Sequence, residues 1–253
     1  MSGKRVPWDW GMTVATELIS ALARYCVRLT VAGSLRRGRE RVRDIELVAM
    51  PAFNGEINLL DGWCNKWQED QVFRKRLKSN GALLAWGSRF KAFTYQGMAV
   101  DLFIVLPDRE WGPTYLLRTG PNLANQALVT REGMTSPDGA QGICPSDIRW
   151  EKGALVQDGY QVTTPEEVDV FRAYSLPWIA PPLRDARYYR TAQSVSRQAR
   201  RRGDDELPAH IPNWPVTSSG VYTPAGEWID EPKPQLAPME MARPATVDQP
   251  RLL

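Results

Sequence analysis

The hydrophobic pattern opens on a helical period. Met12, Ala15, Ile19, Leu22 and Cys26 recur at three and four residues, the spacing of a helix with one apolar side. Pro7, just ahead, suits the first turn of that helix. Residues 27–32 then form an apolar run that reads as a buried strand, and Gly33-Ser34 breaks it. A basic segment leads to a second strand-like run at 44–50. Pro51, Asn54-Gly55 and Asp61-Gly62 supply turn chemistry before a helix expected over 63–77. Strands follow at 82–86, 89–95 and 98–106, the last two joined by a hairpin at Gln96-Gly97.

Residues 111–133 read as two helices broken at Thr119-Gly120-Pro121. Residues 133–148 are rich in Gly, Pro, Ser and Asp, hence loop, and 153–162 suit a small hairpin. Thr164-Pro165-Glu166-Glu167 predicts a helix start, with Thr164 as N-cap, Pro165 at the first position and Glu167 in the capping box. Val168, Phe171 and Leu176 give that helix its apolar side. Arg187, Arg190, Arg197, Arg200, Arg201 and Arg202 mark a basic segment over which Tyr188 and Tyr189 also fall. It suits a grip on phosphates and a solvated helix about equally. Trp214, Tyr222 and Trp228 around Pro224-Ala225-Gly226 suggest a hairpin, and the Pro-rich residues 231–253 are expected to be disordered.

Bulk properties narrow the classes. A chain of 253 residues holds one large domain or two small ones. A net charge of +3 excludes a polycation, although Lys and Arg cluster locally. Cys26, Cys64 and Cys144 are odd in number and far apart, which excludes a disulfide framework or zinc spacing and predicts reduced thiols. The single His210 gives no support to a histidine-based triad. No apolar stretch is long enough to cross a bilayer and no signal peptide opens the chain. The expectation is a monomer with no membrane partner, cytoplasmic and nucleoid-associated, or nuclear in a eukaryotic host.

The candidate chemistry lies between the first two strands. Asp44 and Glu46, two apart on a strand, point to one face. Alone, the pair is equally a solvated edge strand or a pair of hard oxygen ligands for magnesium. Gly33-Ser34 leaves a strand and opens a short helix, exposing backbone amides that suit a phosphate, and Arg36 and Arg37 follow. Asp101 is a lone charge in the apolar strand at 98–106. Period two puts it on one face with Phe103, with Val100, Leu102 and Ile104 on the other, so Asp101 can complete a two-metal acidic trio.

Gly33-Ser34, Asp44-Ile45-Glu46 and Asp101 together resemble the nucleotidyltransferase superfamily. Lys4-Arg5-Val6-Pro7, Gly33-Ser34-Leu35-Arg36-Arg37-Gly38, Arg118-Thr119-Gly120-Pro121-Asn122, Thr164-Pro165-Glu166-Glu167-Val168 and Leu176-Pro177-Trp178 run in the order of family X DNA polymerases. The likeness spans residues 4–186. It implies an α/β (α+β) nucleotidyltransferase fold, a mixed twisted sheet flanked by helices, with a small α/β C-terminal subdomain. The expected division is a palm-like catalytic domain at 1–110, a nucleotide-selecting subdomain at 111–186, a basic extension at 187–230 and a tail at 231–253.

The resemblance further implies that Asp44, Glu46 and Asp101 hold two Mg2+ ions, with Mn2+ as a substitute. Asp44 and Glu46 would touch both ions and Asp101 the catalytic one. Arg5, Gly33, Ser34, Arg37, Gly120 and Asn125 would bind the nucleoside triphosphate. A disordered N-terminal arginine is the competing reading for Arg5, and a surface helix asparagine for Asn125. The implied reaction is addition of nucleoside monophosphates to the 3′-OH of a DNA primer-template or DNA end, in repair or gap filling. One departure stands out: Leu117-Arg118 replaces the family's usual Tyr-Phe before Thr-Gly, which puts ribonucleotide exclusion in question. The family's glycine is commonly followed by a cis peptide, so a cis Gly120-Pro121 bond is expected; before proline it costs only about 0.5–1 kcal/mol. Nothing precedes Arg5 that could form a helix-hairpin-helix clamp or a lyase domain, so deoxyribose-phosphate lyase activity is not expected. The rival readings are an untemplated transferase acting on DNA ends, RNA or a small molecule, and a non-catalytic DNA-end-binding module.

Overall fold

The computed structural model describes residues 5–106, 110–202, 221–222 and 228–229. The chain begins with β1 (Val6–Pro7) and α1 (Trp8–Leu22), and a 3-10 turn over Ala23–Tyr25 leads into β2 (Cys26–Val31). Then come α2 (Gly33–Arg36), β3 (Arg41–Val42), β4 (Asp44–Pro51), β5 (Phe53–Asn54), β6 (Ile57–Asn58), α3 (Leu59–Glu69) and β7 (Arg74–Lys75). The hairpin β8 (Phe90–Tyr95) and β9 (Met98–Ile104) completes the first half. After it follow α4 (Trp111–Thr119), α5 (Asn122–Val129), β10 (Ile148–Glu151), β11 (Ala154–Gln157), β12 (Tyr160–Val162), α6 (Glu167–Ala173) and α7 (Ala186–Arg202).

The main sheet is five-stranded, ordered β2-β4-β9-β8-β7. Only β4 and β9 run parallel; the other neighbours are antiparallel. The chain is therefore α/β with a mixed sheet flanked by helices. Alternation decides what each face does. Ile45, Leu47 and Ala49 of β4 and Val100, Leu102 and Ile104 of β9 pack on one side with Val14, Leu18 and Leu22 of α1 and with Leu60 and Cys64 of α3. Each large aliphatic side chain so buried contributes roughly 1.5–3 kcal/mol. On the other side Val48, Met50 and Phe103 pack against Trp111 and Tyr115 of α4. The remainder of that side carries Asp44, Glu46 and Asp101.

A second core fills the C-terminal half. There Leu116, Ala124, Leu128, Leu155, Phe171, Trp178, Tyr189 and Ala192 cluster around the antiparallel meander β10-β11-β12. The basic segment after residue 186 belongs to this core through Tyr189 and Ala192. Asp185 starts its helix by accepting from the Arg187 and Tyr188 amides at 2.7 and 2.8 Å. Among its arginines, Arg190 donates to Gln141 and Arg197 pairs with Glu132.

Several expectations hold. The β8–β9 hairpin turns on Gln96 and Gly97, both at positive φ (46° and 77°), as a two-residue turn requires. Val221–Tyr222 and Trp228–Ile229 pair antiparallel, as the expected hairpin requires, while its turn residues and residues 231–253 lie outside the described set. Among the described residues no helix is long and apolar enough to cross a membrane.

Others are corrected. The buried side of α1 is Trp8, Gly11, Val14, Ala15, Leu18 and Leu22; Met12 and Ile19 sit at its margin, and Cys26 already belongs to β2. The helix expected over 63–77 starts earlier and stops at Glu69. Asn58 caps it by accepting from the Asp61 amide, and Gln71 at φ 57° breaks it, so Arg74 and Lys75 become an edge strand. Basic side chains suit such an edge, since they discourage pairing with another chain. The strand expected at 82–86 is reduced to single bridges at Leu83 and Trp86. The α6 start also shifts: Glu166 is the N-cap, Asp169 completes the capping box, and Glu167 turns inward. No cis peptide occurs among the described residues, so Gly120-Pro121 is trans, against the expectation. Extended backbone at both residues lets the Pro121 carbonyl accept the Asn125 amide at 3.0 Å and start α5 without a cis bond.

Cys26, Cys64 and Cys144 are free and buried, and burial pushes the Cys26 and Cys64 thiols up to about 12. Thiolate is the reactive form. Ellman's reagent at pH 8 should therefore modify all three only at the rate at which the protein opens. Rapid stoichiometric labelling of the native protein would contradict this packing.

Candidate active site

The acidic residues are assembled by strand register. β4 and β9 run parallel with Glu46 beside Asp101 and Asp44 beside Ala99. All three carboxylates thus emerge from one face of two adjacent strands. Burial lifts the Glu46 carboxyl to about 7; Asp44 and Asp101 push the same way, while Arg37 and Arg118 pull it back. Asp101 is also raised, first by burial and then by Asp44, against the opposing pull of Arg76 and Arg118. Packed carboxylates that resist ionisation are a place where added positive charge is stabilising.

The Gly33–Ser34 turn lies directly against this cluster. The Ala32 amide donates to the Glu46 carbonyl at 2.8 Å, which ties the end of β2 to β4. Gly33 sits at φ 59°, and a Cβ built there would fall 1.6 Å from Glu46 Oε2. A side chain here would strain the left-handed backbone and displace the Glu46 carboxylate. Arg37 follows in the same turn, and its Nη1 donates to the Thr119 carbonyl. Its Nε is buried without a partner, and burial lowers its pKa against the attraction of Glu46.

Thr119 marks the elbow between α4 and α5. Asn125 closes the elbow, donating from Nδ2 to the Leu117 carbonyl at 2.5 Å and to the Gly120 carbonyl at 3.4 Å. A Cβ on Gly120 would fall 2.5 Å from Asn125 Oδ1. The structure thus brings Gly33, Ser34, Arg37, Asp44, Glu46 and Asp101 together, with Gly120 and Asn125 joined to them through Thr119. Arg5 is placed differently: its side chain is exposed, and its carbonyl accepts from Arg41 Nη2 at 2.7 Å.

Arg118 links this cluster to a cleft. Its guanidinium lies 4.0 Å over the Phe103 ring and interacts electrostatically with Glu46 and Asp101. The cleft has a volume of about 670 Å3 and is lined by Arg89, Phe90, Phe103, Leu117, Arg118 and Trp150, among others.

Sequence reasoning missed two further features. Arg36 reads as a second phosphate ligand, yet it is fully buried and pairs with Glu167, with Nη1 and Nη2 at 2.7 and 3.1 Å from the carboxylate oxygens. Arg184 holds the same carboxylate with two 2.6 Å bonds. Arg36 also reaches Thr119 Oγ1 at 2.8 Å and lies 3.8 Å over the Tyr115 ring. The only signal in the sequence was the acidic pair Glu166-Glu167, one member of which had to face inward on a short helix. The second feature is Arg76, whose Nη1 is ion-paired to Asp101 Oδ1.

The donor set suits divalent cations in kind: three carboxylates on adjacent strands, with the proton affinity of Glu46 and Asp101 raised. As the side chains stand, no three His, Cys, Asp or Glu groups among the described residues are arranged to hold a metal ion. Arg76 occupies an oxygen of Asp101, and the Glu46 carboxylate lies against Gly33. Side-chain movement, with the backbone left in place, is what a cation would require.

No protein-family model matches the chain, and no curated protein matches it by sequence.

Burial works against the Glu167 carboxylate, and the charges and hydrogen bonds of Arg184 and Arg36 overcome it, holding its pKa down to about 2. Replacing one partner of such a buried cluster costs about 3–5 kcal/mol, because the remaining charge is left uncompensated. Glu167→Gln should lower stability by that amount in urea denaturation at pH 7. Because the folded pKa lies below the ordinary 4.5, the contribution is complete above that pH and is lost as pH falls toward 2. The difference between wild type and Glu167→Gln should shrink over that window.

Proposed function

We propose that the protein is a metal-dependent nucleotidyltransferase of the family X DNA polymerase kind. The observation that carries this reading is the registered Asp44, Glu46 and Asp101 cluster packed against the Gly33–Ser34 turn. The order of motifs along the chain supports it, and so does the position of Arg37 beside the acids. The reaction joins an acceptor 3′-oxygen to the α-phosphorus of a nucleoside triphosphate. The bond from that phosphorus to the bridging oxygen breaks, pyrophosphate leaves, and the hydroxyl proton passes to solvent.

Each group has a role its surroundings support. Divalent cations held by Asp44, Glu46 and Asp101 would make the attacking hydroxyl more acidic and offset charge on the leaving pyrophosphate. Arg37, in the same turn as Gly33 and Ser34 and with an unsatisfied Nε, would bind the triphosphate. Gly33 holds the left-handed turn and leaves the Glu46 carboxylate its place beside it. The elbow at Thr119-Gly120, braced by Asn125, positions sugar and base. Leu117-Arg118 stands where the family carries the Tyr-Phe pair that screens the sugar 2′ position, so ribonucleotides are accepted beside deoxynucleotides.

Asp101→Asn keeps the shape of the side chain and removes a charge. It should reduce magnesium-dependent primer extension at least about a hundredfold. The assay is labelled primer on gapped, recessed and single-stranded DNA, with deoxy- and ribonucleotides in separate reactions. Extension on gapped duplex identifies a templated polymerase, and extension on single strands an untemplated transferase. Full extension by Asp101→Asn would exclude the assignment.

A further inference from the structure

The sheet register aims Arg76 at the acids from the far side. Glu46 pairs with Asp101, and Asp101 with Ala92. Arg74 pairs with Thr94 and Lys75 with Phe93, so Arg76 comes next, beside Ala92. Its amide donates to the Ala92 carbonyl at 3.0 Å, and its carbonyl accepts from the Leu84 amide at 2.8 Å. Residues paired across strands share a face. Glu46, Asp101, Ala92 and Arg76 are therefore one row across four strands.

The small residue in that row matters. Ala92 presents a single methyl, so the Arg76 side chain crosses above it and pairs with Asp101. The neighbouring row repeats the order with Asp44, Ala99, Thr94 and Arg74. Both rows run from an acid, over small side chains, to an arginine at the sheet edge. Carboxylate-bearing and arginine positions thus lie on opposite sides of a lane of small side chains. Arg76 has a fixed backbone and a long stem, and its side chain and that of Asp101 are 29% and 22% exposed. Solvent and ligands can reach the pair.

We propose that Arg76 is an exchange residue. It neutralises Asp101 in the resting protein, and it moves to an acceptor phosphate when a divalent cation takes Asp101. The inference rests on the nucleotidyl-transfer reading and deepens it. A divalent cation and a guanidinium repel one another at a shared carboxylate. The displaced guanidinium has a matched partner in a phosphate lying in the lane, since its fork fits phosphate oxygens. Metal entry and acceptor binding are thereby coupled through one side chain.

Two measurements on the full chain test this. Mn2+ alone is titrated into wild type, Arg76→Gln, Asp101→Asn and Arg24→Gln, with free ion read by electron paramagnetic resonance. A labelled single-stranded DNA oligonucleotide is then bound at saturating Mn2+ and followed by anisotropy. Arg24 lies over Tyr25 and Trp63 on the helix side of the sheet, and its replacement removes the same charge away from the row. Arg76→Gln should bind Mn2+ up to about fivefold more tightly and the oligonucleotide up to about fivefold more weakly, as loss of one partly exposed charge pair allows. Arg24→Gln should change neither. If either shift is missing in Arg76→Gln while Asp101→Asn weakens Mn2+, the exchange is overturned and the metal site stands. Equal shifts in Arg24→Gln overturn it as a general charge effect. If no variant binds Mn2+, or Asp101→Asn binds as wild type does, the metal reading falls and the exchange with it.

Discussion

Two arginines grip one carboxylate in the interior of this protein, and the geometry of the candidate site depends on that grip. Arg36, Glu167 and Arg184 come from α2, α6 and the segment before α7, and all are at most 1% exposed. The cluster carries a net positive charge in a region without solvent. Desolvating each ion costs several kcal/mol, so the arrangement persists only because the hydrogen bonding is dense. Two bidentate pairs, the Thr119 hydroxyl, the Ile179 carbonyl and the Tyr115 ring supply it. The consequence is positional. Arg36 is the last residue of α2, so fixing it to the C-terminal half fixes Gly33 and Ser34 as well. Arg37, one residue on, then reaches the Thr119 carbonyl while its charge stays beside Glu46.

A second bond across the same seam has a different character. Arg28 of β2 holds Glu166 at 2.7 and 2.9 Å and lies 4.2 Å over Trp111. Both partners are about a third exposed, so solvent screens the pair and its worth is modest. Gly112 adds a steric condition: a Cβ there would fall 2.3 Å from the Glu166 carbonyl. Adjacent residues of α6 thus make one buried and one surface attachment to the sheet-bearing half. The buried one decides the position of the turn, and the surface one decides how α4 and α6 lie against each other.

Legibility in the sequence followed the range of the forces involved. The β8–β9 hairpin was readable because Gln96-Gly97 is a local signal with a local cause. The common face of Asp44 and Glu46 was readable because alternation in a strand is geometric. The apolar side of α1 was read off-centre, because Met12 and Ile19 at its margin fit the period as well as Val14 and Leu18 at its middle do. The end of α3 was misread because the break at Gln71 is a backbone conformation with no distinctive residue type. Arg76 was invisible for the same reason: its row exists only once residues 74–75 are a strand. Glu167 looked like a cap because the partners that turn it inward lie 131 and 17 positions away.

The two charge clusters explain one another's signs. Burial and the neighbouring acids raise the proton affinity of Glu46 and Asp101, and the protein answers with Arg37, Arg76 and Arg118 around them. A fourth guanidinium, Arg36, would join that set from the same turn if it were free to do so. Glu167 withdraws it. By binding Arg36 inside the protein, Glu167 leaves Arg37 as the cation of the turn that answers the acids, and its Nε is left unsatisfied. Burying one arginine of a consecutive pair therefore does two things at once. It spends a strong ion cluster on rigidity, and it limits the positive charge at the acids to groups that a polyphosphate or a cation can displace.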